Sequence, residues 1–355
     1  MAVSVEGRPA GVAAQSGVRF ETDPQGVERL RLSDDGWDFW QWQGHKIHYI
    51  KSGSSGPPLI LIHGFGASAY HWRYNIPVLA RTHQVYALDL LGFGWSDKPL
   101  VDYGPYAIWA DQIASFINEV VGGQPAVIVG NSLGGYNCLA TAAKYPELIR
   151  GVVLVNAAGR FEDVKATVEA PLEAALTMAE KGAKAALGGS KEELLSVGTM
   201  PAEEKSMMQR MTEPVAQMAR RAAVYMAFLA AKQPSRIKQV LQQVYTNDTN
   251  VDDELVRSIV RPAQDPKAAE VFFRIITGNG IAVNRLLQQV KAPLLLLWGE
   301  QDPWIRPAAA DRIASLYPSA ERVRIPAGHC PHDELPQPCN EALLKWLAKL
   351  PVQDA

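Results

Sequence analysis

The sequence predicts an α/β domain, a mostly parallel sheet flanked by helices, interrupted by one helical insertion. Three observations carry that prediction. Short apolar runs recur as KIHYI (46–50), PPLILIHGF (57–65), HQVYALDLL (83–91), AVIVGNS (126–132) and GVVLVNAAG (151–159). Several are continuous rather than alternating, as strands covered on both faces are. Helical periodicity fills the gaps, most clearly in YAIWADQIASFINEVV (106–121) and LGGYNCLATAAKY (133–145), the latter stopping before Pro146 because proline cannot continue a helix. From about 160 to 286 the rhythm breaks, and the chain turns Ala-, Met-, Glu- and Lys-rich with no convincing strand. It resumes with APLLLLWGEQD (292–302), a helical AAADRIASLY (308–317), ERVRIPAGH (321–329) and a closing helix over 338–350. The expected division is a flexible N-terminal tail over 1–36, an α/β core over 37–159 and 287–355, and a helical lid over 160–286.

Composition removes several function classes. With 355 residues, 47% apolar and 20% charged, the chain has too many core-forming side chains to stay disordered. A net charge of −2 offers no basic surface of the kind nucleic acid requires. No run of eighteen apolar residues occurs, so no membrane-spanning helix is expected, although a peripheral membrane contact leaves no such mark. Cys138, Cys330 and Cys339 form neither a CxxC nor a zinc spacing and are too few for a disulfide scaffold, which suits a reducing or enclosed compartment. The first 18 residues, MAVSVEGRPAGVAAQSGV, lack the apolar region of a secretory signal and read as tail; Glu6 and the scarcity of arginine weaken the alternative of a processed organellar presequence.

The chemistry centres on VIVGNSLGGYNCL (127–139), where Gly130, Asn131, Ser132, Leu133 and Gly134 form a G-x-S-x-G between a strand and a helix. In such a turn bulky neighbours would collide with adjacent backbone, and small residues two positions to each side relieve the crowding. A serine hydroxyl is a poor nucleophile until a base takes its proton, and the base needs a third group to orient it. Of the seven histidines only His329 and His332 lie beyond Ser132. His329 follows the strand-like ERVRIPA through Gly328 and is the favoured base. His332 stands at the start of the final helix and suits a cap or a loop hydrogen bond. Asp302, directly after LLLLWGEQ, is the favoured acid over Glu300, which lies earlier in the turn. Oxyanion donors are expected from the backbone N–H of Leu133, at the helix start, and of Phe65, in the HGFGAS loop (63–68). His63 in that loop reads as a structural brace.

Taken together, HGFG, DLLGFGWSDKP (89–99), GNSLGG, WGEQDPW and AGHCPHDELP resemble the α/β-hydrolase superfamily over about residues 46 to 350. The resemblance implies the order Ser, Asp, His with a helical lid before the acid, and hence Ser132, Asp302 and His329 as a triad. Relatives that dehalogenate or open epoxides carry aspartate at the elbow, so Ser132 implies an acyl enzyme. The segment QVYTNDTNVDDELVRSIVRPAQDPKAAEVFFRI (243–275) further resembles the plastid and cyanobacterial hydrolases related to pheophytinase and chlorophyll dephytylase. That implies release of phytol from chlorophyll or pheophytin, a chloroplast location and no cofactor or catalytic metal; any magnesium would belong to the substrate.

Seven of the eight methionines fall in the lid, and methionine suits a wall that moulds around a large apolar ligand. Within MTEPVAQMARRAAVYMAFLAA, Met211, Met218, Ala222, Tyr225, Met226 and Leu229 recur at roughly helical spacing, which nominates Met211, Met218 and Tyr225 as substrate contacts. Packing of the lid on the core is the competing reading. Two other functions stay open: a meta-cleavage-type carbon–carbon hydrolase, whose members usually carry tryptophan where this chain has Cys330, and a ligand receptor built on the hydrolase fold.

Overall fold

The computed structural model describes residues 17–33, 37–104, 107–162, 225–276 and 280–351. An eight-stranded sheet runs in the order β10-β9-β8-β7-β5-β6-β4-β3. Its strands are β3 (Asp38–Trp42), β4 (His45–Ser52), β5 (Pro58–Ile62), β6 (Gln84–Leu88), β7 (Ala126–Asn131), β8 (Ile149–Val155), β9 (Leu294–Gly299) and β10 (Glu321–Ile325). From β6 through β10 every pairing is parallel, and β3 and β4 add an antiparallel edge.

The continuous apolar runs are explained by coverage of both faces. Along β5, Ile60 and Ile62 join one core with Trp109, Phe116 and Leu139, whereas Leu59 and Leu61 join the opposite core with Trp72, Leu343 and Trp346. The same split divides Ile128 from Val127 and Val129, and Leu294 and Leu296 from Leu295 and Leu297. Helices α2 (Ala107–Glu119), α3 (Leu133–Lys144) and α10 (Pro336–Leu347) supply much of that cover. Truncating one of these buried leucines to alanine costs about 2–5 kcal/mol.

Strand order positions the site. β5 pairs with β6 on one side and with β7 on the other, so the chain reverses its direction of winding there. In open α/β sheets the crevice past the carboxyl ends of strands at such a point is where ligands bind. The loop after β5 is HGFG, and the turn after β7 holds Ser132.

Two expectations need revision. Residues 17–33 are not a loose tail: β1 (Phe20–Thr22) and β2 (Glu28–Leu30) form an antiparallel hairpin, with Leu30 fully buried. Its strands are too short and polar to announce themselves, and tertiary contacts hold it. Leu30 N–H donates to the Arg73 carbonyl at 2.8 Å, and Arg29 pairs with Glu21, Asp252 and Glu254. The second concerns Tyr225 as a substrate contact. Residues 163–224 and 277–279 of the expected lid span, with Met211 and Met218, lie outside the described residues. Its described part is helical, with residues 225–231, α4 (Pro234–Val244), α5 (Asp253–Val260), α6 (Ala268–Ile276) and α7 (Val283–Leu287). On the first of these helices Tyr225 is 50% and Met226 57% exposed, so the inward face runs through Ala227 and Phe228 instead of the expected stripe.

Candidate active site

Ser132 sits in the turn between β7 and α3 at φ 53° and ψ −118°, a positive φ that a non-glycine residue holds only when its surroundings impose it. The surroundings are the flanking glycines. A Cβ on Gly130 would lie 2.3 Å from the Gly134 carbonyl carbon, and one on Gly134 would lie 2.4 Å from the Ile62 carbonyl oxygen. The G-x-S-x-G spacing therefore permits β5, β7 and α3 to meet at van der Waals limits. Ser132 N–H donates to the Val155 carbonyl, and its own carbonyl accepts from Tyr136 and Ala158 N–H groups, which fixes the strained backbone from both sides.

The candidate acid and base both follow later strands. Asp302, just past β9, is buried, and its Oδ2 lies 2.7 Å from His329 Nδ1. The rest of the carboxylate is satisfied as well: Asn156 Nδ2 donates to Oδ2 at 2.7 Å, and the Trp304 and Ile305 N–H groups donate to Oδ1 at 2.8 and 3.0 Å. With Nδ1–H held by the aspartate, His329 keeps Nε2 as the nitrogen able to accept a proton. Glu300 is not in this arrangement, since it is paired with Arg324. Nor is His332, which is fully buried against Trp72 and His71, its ring nitrogens without a hydrogen-bond partner among the described residues.

Ser132 and His329 open onto one cavity of about 190 Å³. Its walls are apolar: Phe65 from the β5 loop, Phe228 and Ala231 from the helix at 225–231, Leu241 and Val244 from α4, and Phe272 from α6. Trp304 also lines it, with its ring 5.2 Å from that of His329. Tyr225 is not among the lining residues, which agrees with its exposure. Leu133 is the first residue of α3, so its N–H has no acceptor within the helix. Among the described residues neither the Leu133 nor the Phe65 N–H donates a hydrogen bond, leaving both available as oxyanion donors.

His63 braces its loop. Its Nδ1 lies 2.7 Å from the Gly64 carbonyl, and Nε2 accepts from Leu90 N–H at 3.1 Å, an arrangement that fixes one neutral tautomer. Burial lowers its pKa, outweighing the nearby Asp89.

Two asparagines escaped the sequence reading. Asn156, at φ 44° beyond β8, accepts from Gly299 N–H at 2.9 Å and donates to Asp302, tying the acid to two strand ends. Asn131, before the serine, donates to the carbonyl oxygens of Val155 and His329 at 3.2 and 3.1 Å. The available signal was position: Asn131 ends and Asn156 directly follows an apolar strand, at the edge where the other candidate groups gather.

Ser132 on its strained turn and His329, paired with Asp302, thus border one apolar cavity. Residues 57–336 match the family model for the alpha/beta hydrolase fold, and the chain belongs to that family. It is 30% identical over 344 residues to the chloroplastic pheophytinase of Arabidopsis thaliana, a match covering 86% of this chain and 64% of the plant protein. It is 39% identical over 124 residues to the 2-hydroxy-6-oxo-6-(2'-aminophenyl)hexa-2,4-dienoic acid hydrolase of Metapseudomonas resinovorans, covering 34% of this chain and 42% of that one. The chain thus spans less than two thirds of the length of either relative. A crystal structure of a bacterial membrane phospholipase A superimposes with a TM-score of 0.65 at 23% identity, covering 88% of this chain and 86% of the other, a likeness of fold.

Proposed function

We propose that the protein is a serine carboxylic-ester hydrolase acting on a large apolar ester, and that the ester is the phytyl ester of chlorophyll or pheophytin. The observation carrying the first half is that His329, held by Asp302, borders the same apolar cavity as Ser132 on its strained turn. The second half is supported by the pheophytinase likeness across 86% of the chain and by the apolar walls. A chloroplast site of action follows from that half of the reading.

In the proposed mechanism His329 Nε2 takes the Ser132 proton and the alkoxide attacks the ester carbonyl. The oxyanion accepts hydrogen bonds from the N–H groups of Leu133 and Phe65, a stabilisation of about 3–4 kcal/mol per donor in sites of this type. Collapse expels the alcohol, protonated by His329, and leaves an acyl group on Ser132. Water, deprotonated by His329, repeats the sequence and frees the acid. Asp302 holds the tautomer and stabilises the imidazolium without itself taking the proton.

Incubation with chlorophyll and with pheophytin tests the substrate, and dephytylated pigment from at least one is the expected result. Failure on both, together with equal rates on acetyl and long-chain esters, would remove the large-ester reading. The similarity to the dienoic acid hydrolase supports a second reading, carbon–carbon bond hydrolysis; turnover of a vinylogous dienone faster than of any ester would favour it.

A further inference from the structure

The lid and the loop bearing His329 share a joint centred on one carboxylate. Glu334 lies at the end of α9 (Pro331–Glu334) and makes no contact with Ser132 or Asp302 among the described hydrogen bonds. Its Oε2 accepts from Gly328 N–H at 2.8 Å, next to the base. Its Oε1 accepts from Thr246 and Asn247 N–H groups, both at 2.9 Å, just beyond α4. Nearby, His329 N–H donates to the Val244 carbonyl at 2.8 Å. A Cβ on Gly328 would fall 2.0 Å from that same oxygen, so the two backbones touch. Val244 and Leu241 meanwhile line the cavity. Asp333 adds a second tie, accepting from Tyr245 Oη at 3.0 Å and from Arg73 Nε at 2.8 Å.

We infer that Glu334 is a positioning residue for the base: its carboxylate joins the Gly328–His329 backbone to the end of α4, so that the cavity wall and the imidazole are held as one body. Three backbone donors converge on a side chain outside the reacting atoms, two of them from the segment whose Val244 carbonyl also receives the base's own N–H. A carboxylate is suited to the task because both oxygens accept. A carboxamide would keep the lid donors on its oxygen and set its NH2 against Gly328 N–H. The inference rests on the reading of Ser132 as nucleophile and His329 as base.

The test is labelling of the full chain with a fluorophosphonate carrying a long alkyl chain, which phosphonylates a serine only when its base is in place. For Glu334→Gln the maximal labelling rate is expected to fall about tenfold to a hundredfold, the scale of a misplaced catalytic group, with the half-saturating probe concentration little changed. A lowered Tm with an unchanged maximal rate would overturn the inference, as would a change confined to half-saturation. If Glu334→Gln does not fold, Thr246→Pro removes one lid donor from an exposed residue and is expected to slow labelling about fivefold, the value of one hydrogen bond; an unchanged rate there overturns the inference equally. Wild-type protein left unlabelled at Ser132 would instead overturn the nucleophile reading.

Discussion

His329 and His48 each turn Nδ1 toward a buried aspartate, Asp302 and Asp89, and both contacts measure 2.7 Å. By the pair alone they could not be told apart. Their surroundings differ. His48 is enclosed by rings, with Trp37 at 4.4 Å, Phe39 at 5.4 Å and Trp95 at 5.6 Å, and its Nε2 is buried without a hydrogen-bond partner among the described residues. Asp89 also accepts from Ala69 and Trp95 N–H groups, tying the DLLGFGWSDKP loop to the turn at Ala69. His329 borders the cavity it shares with Ser132. A histidine–aspartate pair fixes a tautomer in both places, and only access to a hydroxyl gives that tautomer a proton to take.

Substituting each aspartate tests the contrast most sharply. Asp302→Asn is expected to lower kcat by about 10⁴-fold, the cost of the wrong tautomer in such triads. Asp89→Asn is expected to reduce stability by about 2–3 kcal/mol, from loss of charge-assisted hydrogen bonds, with kcat per folded molecule nearly unchanged. Ester hydrolysis rates beside urea melts of both variants check this, and equal kinetic losses would erase the distinction. Asn156→Ala should fall between them. It removes a donor to Asp302 and the acceptor of Gly299 N–H, and kcat is expected to drop about tenfold, the worth of one hydrogen bond to a charged group.

Acid should act on the histidines that are buried outside the His329–Asp302 pair. Burial drives the pKa of His71 from 6.5 down to about 4 despite nearby Asp333, and burial likewise lowers His63 and His332. These rings are neutral in the folded protein and take a proton more readily once unfolded. Their contribution to stability is complete above the unfolded value and is lost as pH falls from there through the folded value. Tm is therefore expected to fall between pH 7 and pH 5, with net proton uptake on unfolding, and His71→Gln should flatten the slope. The smallest effect belongs to Tyr225→Ala: half exposed and away from the cavity lining, it should leave KM for a long-chain ester within about twofold, as surface changes do.

What the sequence made legible follows the range of the forces involved. Strands β4 to β10 and the turn at Ser132 were readable because local pattern encodes them: continuous apolar runs, and glycines that only a tight strand–helix turn requires. Asp302 and His329 were readable because chain order and strand ends place them. The contacts of Asn156 and Glu334 were not, since their hydrogen-bond partners lie 146 and 88 residues away in sequence. The β1–β2 hairpin was missed for the same reason, being held by Arg29 pairs reaching α5. At the lid, helical periodicity revealed an amphipathic stretch without fixing which face turns inward, and at 225–231 the inward residues are Ala227, Phe228 and Ala231.

In the proposed mechanism Ser132 attacks an ester and carries its acyl group. Intact-protein and peptide mass spectrometry of enzyme quenched during turnover of a long-chain ester tests it most directly. An increment equal to the acyl group is expected on the peptide containing Ser132, absent from Ser132→Ala, together with loss of hydrolysis in that variant. Full hydrolysis by Ser132→Ala, or an adduct on another residue, would contradict it.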